Sequence, residues 1–365
     1  MSATSPRSLD DFLAFDRYVV LGANSGGDQV DDWLRRHGKN VVAFCDLDPA
    51  KNGEWRGRPI VPLSAVAGRA GKTGAAAIGT YRQPEAASAL TEAGMERAHV
   101  LPFVNDMFAA HFEPGAFVRN APHYARIRER LADEDSRRYF DAVLRYYRDL
   151  DPAALTANPK IIDHYGYDAP GACPKPGDTI VDCGAFTGDT VPFFIESTGG
   201  KCRIIACEAY LPNIPRLHAE LTRLGVTDRT EMLHVALGAR TEPVLIGGDP
   251  SIADGGACRG GGEGRSTMDI VLGDTLDALL LERRPARVNY LKIDIEGADL
   301  DALQGGRTML RTHRPVVAAA SYHTPDHIWQ IPEYLLSVLG PCDLYAGHDP
   351  KWWHHIHFVA VPISG

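Results

Sequence analysis

Asp182-Cys183-Gly184-Ala185-Phe186-Thr187-Gly188-Asp189-Thr190 is a run of small residues bracketed by acids, set directly after the apolar stretch Thr179-Ile180-Val181. Small residues let a backbone turn sharply and approach a ligand closely. A helix that starts after such a turn offers N–H groups and a positive dipole end, which suit a phosphate or the carboxylate of an amino acid. Glu208 closes the next apolar run, Arg203 to Cys207. An acid there can accept hydrogen bonds from two ribose hydroxyls. The pairing fits a nucleoside that carries a carboxylate, such as S-adenosylmethionine. A dinucleotide would favour Gly-x-Gly-x-x-Gly, which this turn lacks. The candidate cofactor contacts are Asp182, Gly184, Ala185, Gly188, Thr190 and Glu208, with Asp294 lining the pocket. The plain alternative is a tight strand–helix turn and a solvated acid at 208.

Asp294, Glu296 and His323 have the side chains to move a proton. Asp294 ends the run Val288 to Ile293, and His323 follows the run Pro315 to Ala320. Neighbouring parallel strand ends would bring both to one crevice. Methyl transfer from a sulfonium is a direct displacement, so acceptor oxygen, methyl carbon and sulfur must be held in line. An alcohol acceptor must also lose its proton to an imidazole or carboxylate within reach. A divalent ion such as Mg or Mn can instead bind the hydroxyl and acidify it. His323 is read as the base. Asp294 orients it, lines the cofactor pocket or coordinates an ion with it, and Glu296 binds acceptor hydroxyls. Glu296 also reads as a helix N-terminal acid favoured by the dipole, and His323 as a structural strand-end histidine. His355 and His357 share a face of an expected strand while His354 points away. With no Cys or carboxylate nearby, these three read as a polar strand face near the rim, not a zinc set. Trp352 and Trp353 suit either an acceptor cleft or packing.

These residues need strands to hold them, and strand–helix alternation starts twice. The first start is Tyr18-Val19-Val20-Leu21, then Gly22-Ala23-Asn24-Ser25-Gly26-Gly27. A helix from Asp28 to about His37 and a strand Val41 to Cys45 follow, the strand ending in Asp46 where a ribose-binding acid would sit. Ala75 to Ile78 and His99 to Leu101 read as later strands of that sheet. Arg126 to Leu131 and Arg137 to Leu150 have helical spacing. The second start is Thr179 to Val181. Arg203 to Cys207, Met232 to Val235, Val288 to Ile293 and Pro315 to Ala320 continue it, with a helix from Pro215 to Leu224 and a Gly-rich loop from Gly247 to Gly264. The division is 1–115 Rossmann-like, 116–170 helical linker and 171–365 catalytic.

Val181 to Thr190 resembles motif I of the FkbM family of methyltransferases. Further elements follow in the family's order: Val235-Ala236-Leu237-Gly238, then Asp274-Thr275-Leu276-Asp277, then Leu291-Lys292-Ile293-Asp294-Ile295-Glu296-Gly297-Ala298-Asp299. Arg314-Pro315 and Tyr322-His323 complete the set, and Leu131 to Ser136 resembles a helix found before the catalytic domain in part of the family. Asp299 departs from the family's more frequent Glu. The resemblance implies an α/β protein with a class I methyltransferase Rossmann-like sheet of seven strands, the last antiparallel and Leu344 to Ala346 with Ile356 to Pro362 its final hairpin. A smaller Rossmann-like α/β domain and a helical linker precede it. It also implies an S-adenosylmethionine-dependent O-methyltransferase acting on a sugar or other polyhydroxylated acceptor. Asp46-Leu47-Asp48-Pro49 and Gly57-Arg58-Pro59-Ile60 resemble small Rossmann-type domains fused to sugar-modifying enzymes, which hold a nucleotide or serve as scaffold. A nicotinamide-dependent oxidoreductase and a non-catalytic nucleotide-sugar-binding protein are the competing readings.

Composition narrows the partners. The chain has 365 residues, 44% hydrophobic and 23% charged, with a net charge of −9. Such an acidic balance lacks the basic footprint of a nucleic-acid binder. No apolar run is long enough to cross a bilayer, and Met1 to Asp10 lacks the apolar stretch of a signal peptide. The seven cysteines are scattered with no Cys-x-x-Cys pair, which reads as reduced thiols of a cytoplasmic protein. A homo-oligomer is compatible with all of this.

Overall fold

The computed structural model describes residues 9–80, 82–102, 114–157, 165–248, 258–259, 267–283, 285, 287–348 and 355–363. Near the start, strands Arg17–Leu21, Asn40–Cys45, Gly74–Ile78 and Val100–Leu101 form a parallel sheet with Arg17–Leu21 and Gly74–Ile78 in the centre. Both central strands are apolar and buried over almost their whole length, the pattern of a sheet covered on both faces. Helix Ser25–Arg36 starts three residues earlier than the spacing suggests, because Asn24 Oδ1 accepts from Gly27 N at 3.1 Å and caps it. Helices Pro114–Arg119, Ala121–Arg130 and Glu134–Asp149 follow. Asp133 caps the last of them, accepting from Ser136 N at 2.7 Å. One apolar cluster runs from Phe12, Trp33 and Phe44 through Tyr139 and Tyr147 to Leu291 and Phe358, so the helices tie both sheets into a common core.

The second large sheet has seven strands, as the resemblance implies. Their order is Cys342–His348, Ile356–Pro362, Val316–Ala320, Tyr290–Ile293, Thr179–Cys183, Arg203–Glu208 and Thr230–His234. Ile356–Pro362 runs antiparallel to both neighbours and the other contacts are parallel. Strand order turns back between Thr179–Cys183 and Tyr290–Ile293, which pair with Cys183 opposite Ile293. Ligands of open α/β sheets lie beyond the carboxyl ends of the strands at such a switch point.

The stretch read as a Gly-rich loop is partly sheet. Ala236–Leu237, Thr267–Asp274, Glu242–Gly248 and Cys258–Arg259 form a separate four-stranded layer. Residues 249–257 and 260–264 of that stretch lie outside the described residues, as do Trp352, Trp353 and His354. Among the described residues no helix is long and apolar enough to cross a membrane.

Candidate active site

The turn after Thr179–Cys183 is held by contacts within the protein. Gly184 has φ +80, and a Cβ on it would lie 1.9 Å from the Asp294 carbonyl oxygen. Only glycine lets the turn rest against the neighbouring strand end. The N–H groups of Gly184 and Ala185 both donate to Cys207 O at 2.9 Å, Gly188 N donates to Ala185 O, and Phe186 N donates to Glu208 Oε2 at 2.8 Å. The turn's own N–H groups at these positions are therefore engaged within the protein.

Asp182 is also engaged within the protein. Its carboxylate is fully buried, accepts from Thr190 Oγ1 at 2.8 Å and pairs with Lys292 Nζ at 3.2 Å. A buried charge needs such a partner. Lys292 donates as well to the Gly184 carbonyl and sits 5.1 Å from the Tyr165 ring centroid. Burial disfavours its charge, but Asp182, Asp294 and Asp189 together hold the ammonium above its usual value. Asp182, Thr190 and Lys292 therefore brace the turn from beneath. A lysine inside an apolar strand was the sequence signal for this brace.

Glu208 lies at the strand end as expected, largely buried. Oε1 accepts from Tyr210 N at 2.8 Å and Asn213 Nδ2 at 3.2 Å, and Oε2 from Phe186 N. Burial pushes its carboxyl up, and these donors oppose the shift. A carboxylate has about four lone-pair positions, so these three donors leave about one of them on Glu208 unfilled.

Asp294, Glu296 and His323 do meet. Tyr290–Ile293 and Val316–Ala320 pair in parallel, and the three residues follow their carboxyl ends. His323 Nε2 lies 3.2 Å from Asp294 Oδ1 and 3.7 Å from Glu296 Oε2. Asp294 accepts from Tyr322 Oη at 3.2 Å and from Tyr165 Oη. Burial opposes its charge, yet His323 and Lys292 hold its carboxyl well below the usual range.

The orienting partner of His323 is Asp299, a residue that no spacing argument singled out. Asp299 Oδ2 lies 2.8 Å from His323 Nδ1, and its two oxygens also accept from Ile295 N at 3.0 Å and Gly297 N at 3.1 Å. Asp299 starts helix Asp299–Gly305, so it takes the helix N-terminal place expected of Glu296. Burial works against a charged imidazole at 323, but Asp299 and Asp294 outweigh it and raise the ring well above its ordinary value.

His357 is not at the rim. It is buried with its ring edge-on to Tyr165 and Tyr322, and burial lowers it to about 4. His355 stacks on Tyr322 with centroids 3.8 Å apart. Tyr165, just ahead of the catalytic sheet, was legible from no motif.

A divalent ion fits this donor set poorly. Among the described residues, the His and carboxylate atoms close enough to share one ion are those of Asp299, His323 and His327. There Asp299 and His323 already bond each other, and Asp299 also serves two backbone donors. In the front sheet, Asp46 accepts from Ala23 N and Asp48 N and pairs with Lys51 at 2.8 Å, so this acid is engaged within the protein. A Cβ on Gly22 or Gly26 would lie 2.5 or 2.6 Å from Gly79 O. Those glycines serve backbone packing.

Residues 182–345 match the family model described as the methyltransferase FkbM domain. The fold is similar to a crystal structure of methyltransferase FkbM from Methylobacillus flagellatus KT, with a TM-score of 0.73 and 20% identity over 98% of this chain and 94% of that one. A putative rRNA-methylase from Clostridium thermocellum is similar over 53% of this chain and 91% of its own, at TM-score 0.34 and 14% identity. An O-methyltransferase from Bacillus cereus in complex with SAH is similar over 50% and 73%, at TM-score 0.31 and 12% identity. Likeness at those two scores carries no functional inference. No curated protein sequence matches the chain.

Proposed function

We propose, from the match of residues 182–345 to the methyltransferase FkbM domain model, that the chain transfers a methyl group from S-adenosylmethionine to a hydroxyl oxygen of a sugar or other polyhydroxylated small molecule. The observation that carries this reading is the meeting of the glycine turn, Glu208 and the Asp294–Glu296–His323 wall at one switch point. The remaining lone pair of Glu208 suits a ribose hydroxyl. The bound donor supplies an electrophilic methyl group. The wall then has two tasks: holding the acceptor in line and taking its proton. Tyr165 and Tyr322 bond Asp294, and His355 stacks on Tyr322, so this wall carries aromatic rings beside the carboxylates. No step is assigned to a metal, because the donor set favours hydrogen bonds among its own members. The front sheet is read as scaffold, since Asp46 and the glycines of its first turn are engaged within the protein.

Calorimetric titration of the full chain with S-adenosylmethionine, S-adenosylhomocysteine, NAD and UDP-glucose tests the reading. The first two are expected to bind. Binding of NAD alone would replace it with a redox function, and binding of UDP-glucose alone with a carbohydrate-binding one.

A further inference from the structure

Building on the methyl-transfer reading, we propose that Glu296 receives the proton of the acceptor hydroxyl while His323 stands as an imidazolium clamped between Asp299 and Asp294. A base must come within about 2.6–3.2 Å of the oxygen it deprotonates. The His323 side chain is 1% exposed and its Nε2 is sealed from solvent, whereas Asp294 is 16% and Glu296 29% exposed. Of the three, Glu296 is the most open to a substrate.

Hydrogen-bond bookkeeping on the ring leads to the same assignment. Asp299 accepts from two backbone N–H groups as well as from the ring, so it is a carboxylate and His323 Nδ1 carries a proton. Asp294 accepts from two phenols, so it too is a carboxylate. Nε2 makes no hydrogen bond among the described residues, but 3.2 Å from that anion a lone pair would be repelled and an N–H is attracted. With both nitrogens protonated, His323 has no lone pair to offer. Asp294, held low by its surroundings, is a weak proton acceptor.

Glu296 has the opposite character. Its backbone sits at φ +58, a conformation costly for a non-glycine residue, and strain of this kind gathers at functional sites. Burial pushes its carboxyl up, His323 pulls it down, and Asp294, Asp299 and Glu208 push it up again, to about 7. That is near the value a base needs at neutral pH. His327 and His357, which also face His323, are lowered by burial and add little positive charge. In the reaction the acceptor O–H bond breaks and its proton passes to Glu296. The new O–C bond forms as the methyl–sulfur bond breaks, and that electron pair returns to sulfur. A sulfonium and a carboxylate become a neutral thioether and a carboxylic acid.

The test is NMR of the full chain with 15N-labelled histidine rings and 13C-labelled glutamate carboxyls. Glu296→Gln assigns the carboxyl signal. His323→Gln assigns the ring, or through-bond connectivity does if that variant fails to fold. Both ring nitrogens of His323 are expected in the protonated range at neutral pH, with Glu296 titrating near 7. A folded His323→Gln should move the Glu296 midpoint upward, because a nearby positive charge is lost. An unprotonated Nε2 at neutral pH, or Glu296 titrating near its ordinary 4.5, would overturn the assignment. The spectra are read without ligand, so failure of S-adenosylhomocysteine to bind would defeat only the donor reading.

Discussion

Asp299 Oδ2 and His323 Nδ1 are 2.8 Å apart, both side chains buried, and this pair decides which nitrogen of the ring faces the crevice. Asn at 299 keeps the shape but loses the charge, and its amide group must face either a backbone N–H or the imidazole. Leaving a buried donor unmet costs roughly 1–3 kcal/mol. Asp299→Asn is therefore expected to lower unfolding free energy by about that amount in urea titrations and to free the ring to become neutral near pH 7. A variant as stable as the parent, with His323 still doubly protonated, would show that the pair does not set the ring.

Gly184 bears on the same crevice through backbone. A methyl group there meets the Asp294 carbonyl oxygen at 1.9 Å and forces a positive φ on an alanine. Strain and overpacking each cost about 1–3 kcal/mol. Gly184→Ala should therefore lower the thermal midpoint sharply, and S-adenosylhomocysteine binding should go with it. Gly199→Ala is the control, with a positive φ but nothing within 4 Å of the new Cβ. Equal losses in both variants would mean that contact with Asp294 is unimportant.

Much of this was legible in the sequence. The five parallel strands between Thr179 and Ala320 and the meeting of Asp294 with His323 follow from apolar runs that end in polar residues, whereas the seven-strand count and the antiparallel final strand follow from the family resemblance. Asp299 was missed because its partner is 24 positions away and the pairing depends on how the chain folds back after Ile295. Tyr165 and Tyr322 both reach Asp294, and no spacing rule links them. The stretch from Gly247 to Gly264 reads as a loop because glycines dominate it, and strand Glu242–Gly248 just ahead of it was not singled out. Yet Val244 and Ile246 are buried on one side while Leu245 points out, the period-two signature of a strand.

Glu208 is tied by three donors, so its replacement should be felt by protein and ligand together. Glu208→Gln sets an amide N–H group against one of the donors from Phe186, Tyr210 or Asn213. One lost ribose hydrogen bond is worth roughly 0.5–1.5 kcal/mol. The calorimetric affinity for S-adenosylhomocysteine should fall up to about tenfold, with a smaller fall in stability. Unchanged affinity would remove Glu208 from the cofactor site.

Glu296 should also leave a mark on stability against pH. Its carboxyl rises from 4.5 to about 7 on folding. Between those values the folded protein keeps a proton that the unfolded chain has released, so unfolding free energy falls as pH climbs through that window. Above about 7 this group adds no further slope. Each tenfold change in proton affinity on folding is worth about 1.4 kcal/mol, reduced here because the side chain is partly open to solvent. Gln carries no such proton. Glu296→Gln should therefore gain on the parent by an order of 1–3 kcal/mol as the pH is raised from about 5 to about 8 in urea titrations. His323 is raised on folding, so its contribution is full below its ordinary 6.5 and is lost only as pH rises through its higher folded value. That loss is present in both proteins, so their difference reports Glu296 together with its coupling to His323. Parallel curves across the window would mean that Glu296 titrates alike in the folded and unfolded chain.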